Sequence, residues 1–170
     1  MPRKVLVTGG AGFIGSHIAD AYTAAGDKVW VLDDLSTGKL SNVPREAEFV
    51  EASVTSADAT ALFDKVKGFD IVNHHAAQMD VRRSVAEPGF DAQVNILGLL
   101  NLLEACRRHS VGRFQFVSSG GVVYGEPEQL PTPETAPKQP LSPYGVSKLT
   151  SEYYLFYYHR ILKLDYVALR

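Results

Sequence analysis

Short apolar runs alternate with longer segments of helical periodicity, and this alternation constrains the fold more than any other feature of the chain. The runs are rich in β-branched and aromatic residues, which favours strands buried on both faces and therefore a parallel sheet. Six such runs are present: Val5–Thr8, Val29–Leu32, Glu48–Val50, Ile71–Asn73, Phe114–Val117 and Tyr166–Leu169. Helical spacing predicts helices over Phe13–Ala25, Ser56–Val66, Asp91–Arg108 and Tyr144–Leu162.

Strands that alternate with helices predict an α/β fold with a doubly wound parallel sheet. Right-handed crossovers then give the strand order 3-2-1-4-5-6, which is that of a Rossmann fold. The length suits one domain over residues 1–170. The segment Gly120–Ser142, with five prolines, is long for a loop between core elements. It is either a functional segment, with function favoured at its two ends, or a solvated connector.

Composition excludes several classes of function. The net charge is −2 and the charges are scattered, so binding to nucleic acid or to an anionic membrane is not expected. The apolar stretch near the N-terminus is too short for a signal peptide, and no run is long enough to span a bilayer. The one cysteine, Cys106, excludes an intrachain disulfide and suits a buried apolar position. We therefore expect a cytoplasmic protein.

A glycine-rich turn joins the first predicted strand to the first predicted helix. Gly9, Gly12 and Gly15 have the spacing G-x-x-G-x-x-G. Such glycines allow a tight turn, the close approach of a pyrophosphate and close packing of helix on strand. The following helix offers free N–H groups and the positive end of its dipole to phosphate. Glycines alone are weak support, but a position between strand and helix is the context that a dinucleotide site requires.

Asp33 ends the second predicted strand, about 20 residues after the glycines, at the distance expected for a ribose-binding carboxylate. A carboxylate accepts hydrogen bonds from both ribose hydroxyls and repels a 2′-phosphate, which favours NAD over NADP. Asp34 follows it, and no arginine stands beside the pair. The alternative interpretation of Asp33 is an ordinary turn residue at the end of a strand.

Tyr144 and Lys148 form a Y-x-x-x-K pair at the start of a predicted helix. The i,i+4 spacing places both side chains on one helical face. A nearby ammonium lowers the pKa of a tyrosine, which could then take a hydroxyl proton while hydride leaves the same carbon. A pair of this kind on a solvated surface is the alternative. His74 and His75 are adjacent, so they point to opposite faces of a strand and no metal site is expected.

Five motifs together resemble the extended short-chain dehydrogenase/reductase family, and within it the nucleotide-sugar epimerases of the UDP-glucose 4-epimerase type. They are T-G-G-A-G-F-I-G, V-L-D-D-L-S-T-G, H-H-A-A-Q, V-S-S-G-G-V-V-Y-G and S-P-Y-G-V-S-K, in that order along the chain. The resemblance implies NAD as cofactor and a nucleotide sugar, such as a UDP-sugar, as substrate. It also implies a homodimer built on the helices Asp91–Arg108 and Tyr144–Leu162. The aromatic residues expected on that surface are Tyr153, Tyr154, Phe156, Tyr157 and Tyr158.

The same resemblance implies roles for individual residues. Tyr144 is the catalytic base, and Lys148 tunes it and binds the nicotinamide ribose. Phe13 and Ile14 lie under the pyrophosphate, and the adenosine end is held after the second and third strands. The remaining cofactor contacts that it implies are Asp33, Asp34, Leu35, Ser36, Thr37, Gly38, Ser53, Val54, Ala76, Ala77, Gln78, Asn95 and Ser118. Arg82 and Arg83 are either contacts to substrate phosphate or a solvated pair.

The sequence departs from the family pattern at three places. Ser53 stands where the family usually has an acidic residue near the adenine. Gly120 stands where the family usually has a catalytic serine or threonine, and the adjacent Ser119 is either a weaker substitute or a strand-end residue. The chain also ends shortly after the sixth predicted strand, so the part that would enclose the sugar nucleotide is expected to be absent.

The residues after Gly120 separate the epimerases from their relatives. Within the family that this chain resembles, sugar 4,6-dehydratases need an acid/base pair at the positions of Gly121 and Val122. Neither of these two residues can move a proton. An epimerase is therefore favoured, although this half of the protein alone is expected to be inactive. A one-way reductase or dehydratase of the same family, and an NAD-binding module without catalysis, remain the alternatives.

Overall fold

A computed structural model describes all residues from 1 to 170. Its centre is one parallel sheet of six strands in the order β3-β2-β1-β4-β5-β6. The strands are Lys4–Thr8 (β1), Lys28–Asp33 (β2), Glu48–Glu51 (β3), Ile71–His74 (β4), Arg113–Val117 (β5) and Tyr166–Leu169 (β6). The predicted Rossmann order and the doubly wound α/β fold are confirmed.

Seven α-helices connect and cover these strands. They are Phe13–Ala24 (α1), Ala57–Val66 (α2), Val81–Ala86 (α3), Pro88–Ala92 (α4), Gly98–Arg108 (α5), Gly120–Val123 (α6) and Pro143–Leu162 (α7). A π-helical turn over Gln93–Leu97 joins α4 to α5 without a break, and a turn of 3₁₀ helix covers Leu40–Asn42. No helix is both long enough and apolar enough to cross a membrane.

Local residues explain where α3, α4 and α7 begin. Asp80 begins α3 because its carboxylate accepts hydrogen bonds from the backbone N–H groups of Arg82 and Arg83. Pro88 stands in the first turn of α4, where a missing N–H costs nothing, so the helix predicted from Asp91 begins earlier. Ser142 caps α7 in the same manner by accepting from the N–H of Gly145.

Both faces of the sheet are buried, which explains the near-continuous apolar strands. On one face Leu6, Leu32, Val72, Phe114 and Phe116 pack with helices α2, α5 and α7 in the larger core cluster. On the other face valines of β1 and β2 pack against α1 in a smaller cluster. Cys106 is fully buried in the larger cluster, as expected, and burial raises the pKa of its thiol. The core therefore fixes β1 at the centre, with its carboxyl end at the point where the strand order reverses.

One surface prediction needs correction. Tyr153, Phe156 and Tyr157 on α7 are exposed, as expected for the aromatic face of this helix. Tyr158, which the sequence placed on the same surface, is only 5% exposed and donates a hydrogen bond to Glu104 on α5. Successive helical residues lie about 100° apart, so five of the six positions from 153 to 158 cannot all face outward.

Candidate dinucleotide and catalytic site

The turn after β1 requires glycine at two positions. Gly9 has a φ of +67°, and a Cβ added there would lie 2.5 Å from the backbone nitrogen of Ala76. A Cβ at Gly15 would lie 2.2 Å from the carbonyl oxygen of Gly9. The turn is therefore in direct contact with the loop that follows β4, and α1 packs close against it. The close packing of the helix that the glycine spacing predicted is present at Gly15.

The start of α1 is open to an anionic group. Gly12 is the N-cap and has no side chain to accept from the first-turn N–H groups, and the first turn holds no acidic residue. These N–H groups and the positive end of the helix dipole suit a phosphate. Phe13 and Ile14 are 80% and 57% exposed at the same helix end. The geometry fits the pyrophosphate role that the resemblance implies for this turn.

Asp33 is buried at the end of β2 and holds the neighbouring turns. Its Oδ2 accepts from the N–H of Ala11 at 3.0 Å, and its Oδ1 accepts from the N–H of Leu35 at 2.8 Å. Each carboxylate oxygen has a second lone pair for a further donor. A Cβ at Gly38 would lie 3.0 Å from Oδ1, so the turn from Leu35 to Gly38 closes directly on this carboxylate. Asp33 can thus shape the turn and still accept from a ribose.

The remaining residues of this turn and those after β3 are placed differently. Asp34, Ser36 and Thr37 are exposed, and Asp34 accepts from the N–H of Ser36. The Ser53 hydroxyl is 2.9 Å from the Thr55 hydroxyl, so it already has a partner. The Val54 side chain is 3% exposed and belongs to the core.

The loop after β4 is held by a network of amide hydrogen bonds. The Asn95 side chain accepts from the N–H of Gln78 at 3.0 Å and donates to the carbonyl of Gln78 at 2.9 Å. Asn95 lies in the π-helical turn, which is a feature often found at functional sites. The side chains of Gln78 and Asn95 therefore bond to the protein itself, whereas the backbone of Ala76 lies against Gly9.

The ring of His75 carries a further polar group at this edge. Its Nε2 is buried and has no hydrogen-bond partner, and its backbone carbonyl carbon lies against Gly9. Burial, followed by the charge of Lys148, lowers the pKa of His75 to about 4. His74 instead faces Thr8, with its Nδ1 at 2.7 Å from the Thr8 hydroxyl oxygen. His75 is therefore neutral at pH 7, and its unpartnered Nε2 is closed off from solvent.

Tyr144 and Lys148 stand on the first two turns of α7, facing the carboxyl end of β5. The Nζ of Lys148 donates to the carbonyl of Val117 at 2.8 Å and lies 5.7 Å from the centre of the Tyr144 ring. Lys148 is 5% exposed, and Tyr144 is half-buried. The predicted proximity of the two side chains on one helical face is present in the structure.

The electrostatics of this pair differ from the expectation drawn from the sequence. Burial, followed by the charge of Asp91, raises the pKa of Tyr144, so the ammonium does not set its direction. Burial lowers the pKa of Lys148 to about 8, and Asp91 opposes that shift. The geometry explains this difference from the expectation. The Val117 carbonyl holds the Lys148 Nζ, and the buried Asp91 acts on both groups.

Ser118 and the residues around Gly120 form a second polar cluster. The Ser118 hydroxyl donates to Glu152 at 2.5 Å, and Arg170 pairs with Glu152 while donating to the Tyr124 hydroxyl at 2.6 Å. This partner of Ser118 was not predicted, because Glu152 lies 34 residues away along the chain. Gly120 begins α6 and has no side chain to contribute.

Two further residues that the sequence singled out lie on the surface. Arg82 and Arg83 are both exposed on α3. The Arg83 guanidinium pairs with Glu87 and stacks on the ring of Phe90 at 4.1 Å. For Arg83 the structure therefore shows local partners.

The fold and the site together define a Rossmann-type domain with a candidate dinucleotide site. The model of the NAD dependent epimerase/dehydratase family matches residues 5–170, so the chain belongs to that family. A putative UDP-glucose 4-epimerase of Methanocaldococcus jannaschii is 46% identical over 98% of this chain. The chain spans 54% of the length of that relative.

Solved structures give the same result. The UDP-glucose 4-epimerase of Thermotoga maritima, crystallised with UDP-glucose, is 44% identical with a TM-score of 0.95, over 98% of this chain and 54% of its own. The enzyme of Thermus thermophilus, in complex with NAD, is 46% identical with a TM-score of 0.94, over the same shares. The chain therefore corresponds to about half of each relative, the half that contains the parallel sheet.

The buried Lys148 leads to a prediction about stability and pH. Its pKa in the folded chain is about 8, below the ordinary value of 10.5, so between these values only the unfolded chain binds the proton. Stability should therefore rise with pH through that window, by up to about 3 kcal/mol. Lys148→Met should lack this rise, and the gain of the wild type should be visible in urea unfolding at pH 7, 8, 9 and 10.

The exposed Lys65 on α2 offers the matched control. Lys65→Met should keep the rise of stability between pH 8 and 10. An equal pH dependence in the wild type and Lys148→Met would contradict the burial of an ammonium at position 148.

Proposed function

We propose that this chain is the NAD-binding half of a nucleotide-sugar 4-epimerase of the UDP-glucose/UDP-galactose type. The observation that carries the proposal is the placing of Tyr144 and Lys148 at the same sheet edge as the glycine turn. Gly120, Gly121 and Val122 add no acid or base to this arrangement. A site with one proton-moving group suits a reversible hydride transfer and not the elimination of water.

The cofactor would be held by residues at the ends of four neighbouring strands, β3, β2, β1 and β4. The glycine turn and the start of α1 would bind the pyrophosphate, and Asp33 would accept from the adenosine ribose. The rest of the cofactor would be lined by Asp34–Gly38 after β2, by Ser53 and Val54 after β3, and by the Ala76–Gln78 loop. NAD, when bound, supplies a reversible hydride acceptor.

The chain's own catalytic groups would handle the proton. The phenolate oxygen of Tyr144 would take the proton of the sugar 4-hydroxyl and return it after the 4-keto sugar has turned over. Lys148, charged below a pH of about 8, would donate to the nicotinamide ribose and stabilise the phenolate. Because the hydride returns to the sugar, no net reduction of the cofactor is expected.

The relatives motivate the choice of substrate. The Thermotoga maritima structure contains UDP-glucose, and a Methanobrevibacter ruminantium UDP-N-acetylglucosamine 4-epimerase, 39% identical, was solved with UDP-N-acetylmuramic acid. The chain spans about half of either protein, so the sugar-binding contacts would come from sequence beyond it. A UDP-sugar is accordingly the substrate class that we propose for the complete gene product.

The enzymatic assay uses the complete gene product with UDP-galactose. We expect conversion to UDP-glucose without accumulation of NADH, and retention of deuterium placed at carbon 4. Tyr144→Phe should reduce kcat by about 10²–10⁴-fold because the proton acceptor is lost. Tyr154→Phe, an exposed tyrosine of the same helix, is the control and should turn over normally.

Other outcomes of this assay would replace the proposal. Steady production of NADH would identify a one-way dehydrogenase. Tight binding of NAD without any turnover of UDP-sugars would identify an NAD-binding module. Full activity of Tyr144→Phe would exclude Tyr144 as the base.

A homodimer is the second part of the proposal. Tyr153, Phe156, Tyr157 and Ile161 of α7 are 49% to 65% exposed, and Leu97 of the neighbouring π-helical turn is 58% exposed. An apolar patch of this kind on paired helices is typical of a protein–protein interface. A second copy of the chain, apposed through the same helices, would bury it and form a four-helix bundle.

Light scattering tests the dimer. We expect twice the chain mass for the wild type and a monomeric mass for Phe156→Glu, since a charge in a buried interface is costly. Leu40→Glu, at an exposed leucine far from α7, should stay dimeric. A monomeric wild type at micromolar concentration would contradict this part of the proposal.

We also propose that the protein works in the reducing cytoplasm, because its one cysteine is free and buried.

A further inference from the structure

A fully buried carboxylate lies behind the catalytic pair and takes no part in the proposed reaction. Asp91 on α4 is 0% exposed. Its Oδ2 accepts from the Ser147 hydroxyl at 2.6 Å, and its Oδ1 accepts from the Asn95 amide at 3.0 Å and from the Gln78 amide at 3.1 Å. These three hydrogen bonds compensate the burial of the carboxylate and fix its position.

The donors come from the two parts of the site that must face each other. Gln78 ends the loop that lines the cofactor region, and Asn95 clamps the backbone of that residue. Ser147 lies between Tyr144 and Lys148 on α7. The Ser151 hydroxyl extends the connection by donating to the carbonyls of Ser147 and Asn95. One carboxylate thus connects the cofactor loop with the catalytic helix.

We propose that Asp91 is a positioning residue that fixes the Ala76–Gln78 loop against the start of α7 and sets the electrostatic field behind Tyr144 and Lys148. The proposal deepens the proposed function and rests on it. Asp91 touches neither the reacting atoms nor the cofactor site directly, and it acts through Ser147, Gln78 and Asn95.

The charged surroundings support an electrostatic part of this role. Three titratable groups face Tyr144 and Lys148. Asp91 comes from α4, and His74 and His75 stand at the end of β4. Burial lowers the pKa of both histidines, so they are neutral at pH 7. On the neighbouring α3, Arg83 pairs with Glu87 at the surface. Asp91 is therefore the anion that acts on the pair from inside the protein.

Two variants separate the mechanical part of the role from the electrostatic part. Asp91→Asn keeps the shape and removes the charge, whereas Ser147→Ala removes the link and keeps the charge. Asp80→Asn makes the same chemical change at an exposed carboxylate that caps α3, and it is the matched control. Thermal unfolding confirms that each variant is folded before the other measurements.

The first readout is the titration of Tyr144, monitored by NMR of chains labelled with ¹³C at tyrosine Cζ and assigned with Tyr144→Phe. Because Asp91, after burial, raises the pKa of Tyr144, Tyr144 should titrate at a lower pH in Asp91→Asn than in the wild type. Ser147→Ala and Asp80→Asn should leave the titration unchanged. The second readout is kcat of the complete gene product on UDP-galactose, which should fall by about tenfold in Asp91→Asn and in Ser147→Ala, but not in Asp80→Asn.

An unmoved Tyr144 titration in Asp91→Asn, or a wild-type kcat in that variant, would overturn the proposal. A wild-type protein that does not convert UDP-galactose would instead refute the proposed function. The tyrosine titration needs no turnover, so it decides on the electrostatic role of Asp91 in that case also.

Discussion

The contact between the turn after β1 and the loop after β4 is the constraint on which the rest of the structure depends. Because a Cβ at Gly9 would lie 2.5 Å from the Ala76 nitrogen, the two segments can meet only if this residue is glycine. Their contact places the start of α1 and the Ala76–Gln78 loop on either side of one sheet edge. Asp33 then joins the turn to the end of β2 by accepting from the N–H groups of Ala11 and Leu35.

The burial of Lys148 comes at a cost to stability. A lysine that is 5% exposed and bonded to a single carbonyl is unfavourable for folding while it carries its charge. Asp91 reduces this cost at Lys148 while opposing ionisation of Tyr144. Burial is the larger cause of both pKa shifts, and Asp91 raises the pKa of both groups.

Much of the fold could be predicted because burial on both faces leaves a clear mark on the sequence. Each predicted strand overlaps an observed one, and the order of the sheet followed from right-handed crossovers. The short helices α3 and α6 could not be found by periodicity because they contain too few turns. The burial of Tyr158 depends on its bond to Glu104, a residue 54 positions away, which no local pattern reveals.

The site could be predicted in part for a related reason. Gly9, Gly15, Tyr144 and Lys148 are in motifs whose spacing alone defines their geometry. The interpretation of Gln78 and Asn95 as direct cofactor contacts did not include their bonds to each other and to Asp91. The same holds for Ser118, whose partner Glu152 is supplied by α7. Such partners are brought together by tertiary packing, so spacing in the sequence does not show them.

Calorimetric titration of this chain with NAD and, separately, with NADP tests the central claim most directly. The account predicts saturable binding of NAD with an affinity at least about tenfold above that for NADP, because the Asp33 carboxylate repels a 2′-phosphate. Asp33→Asn should narrow the difference between the affinity for NAD and the affinity for NADP. Equal or tighter binding of NADP, or binding of neither cofactor to the folded chain, would contradict the site described for Asp33 and the glycine turn.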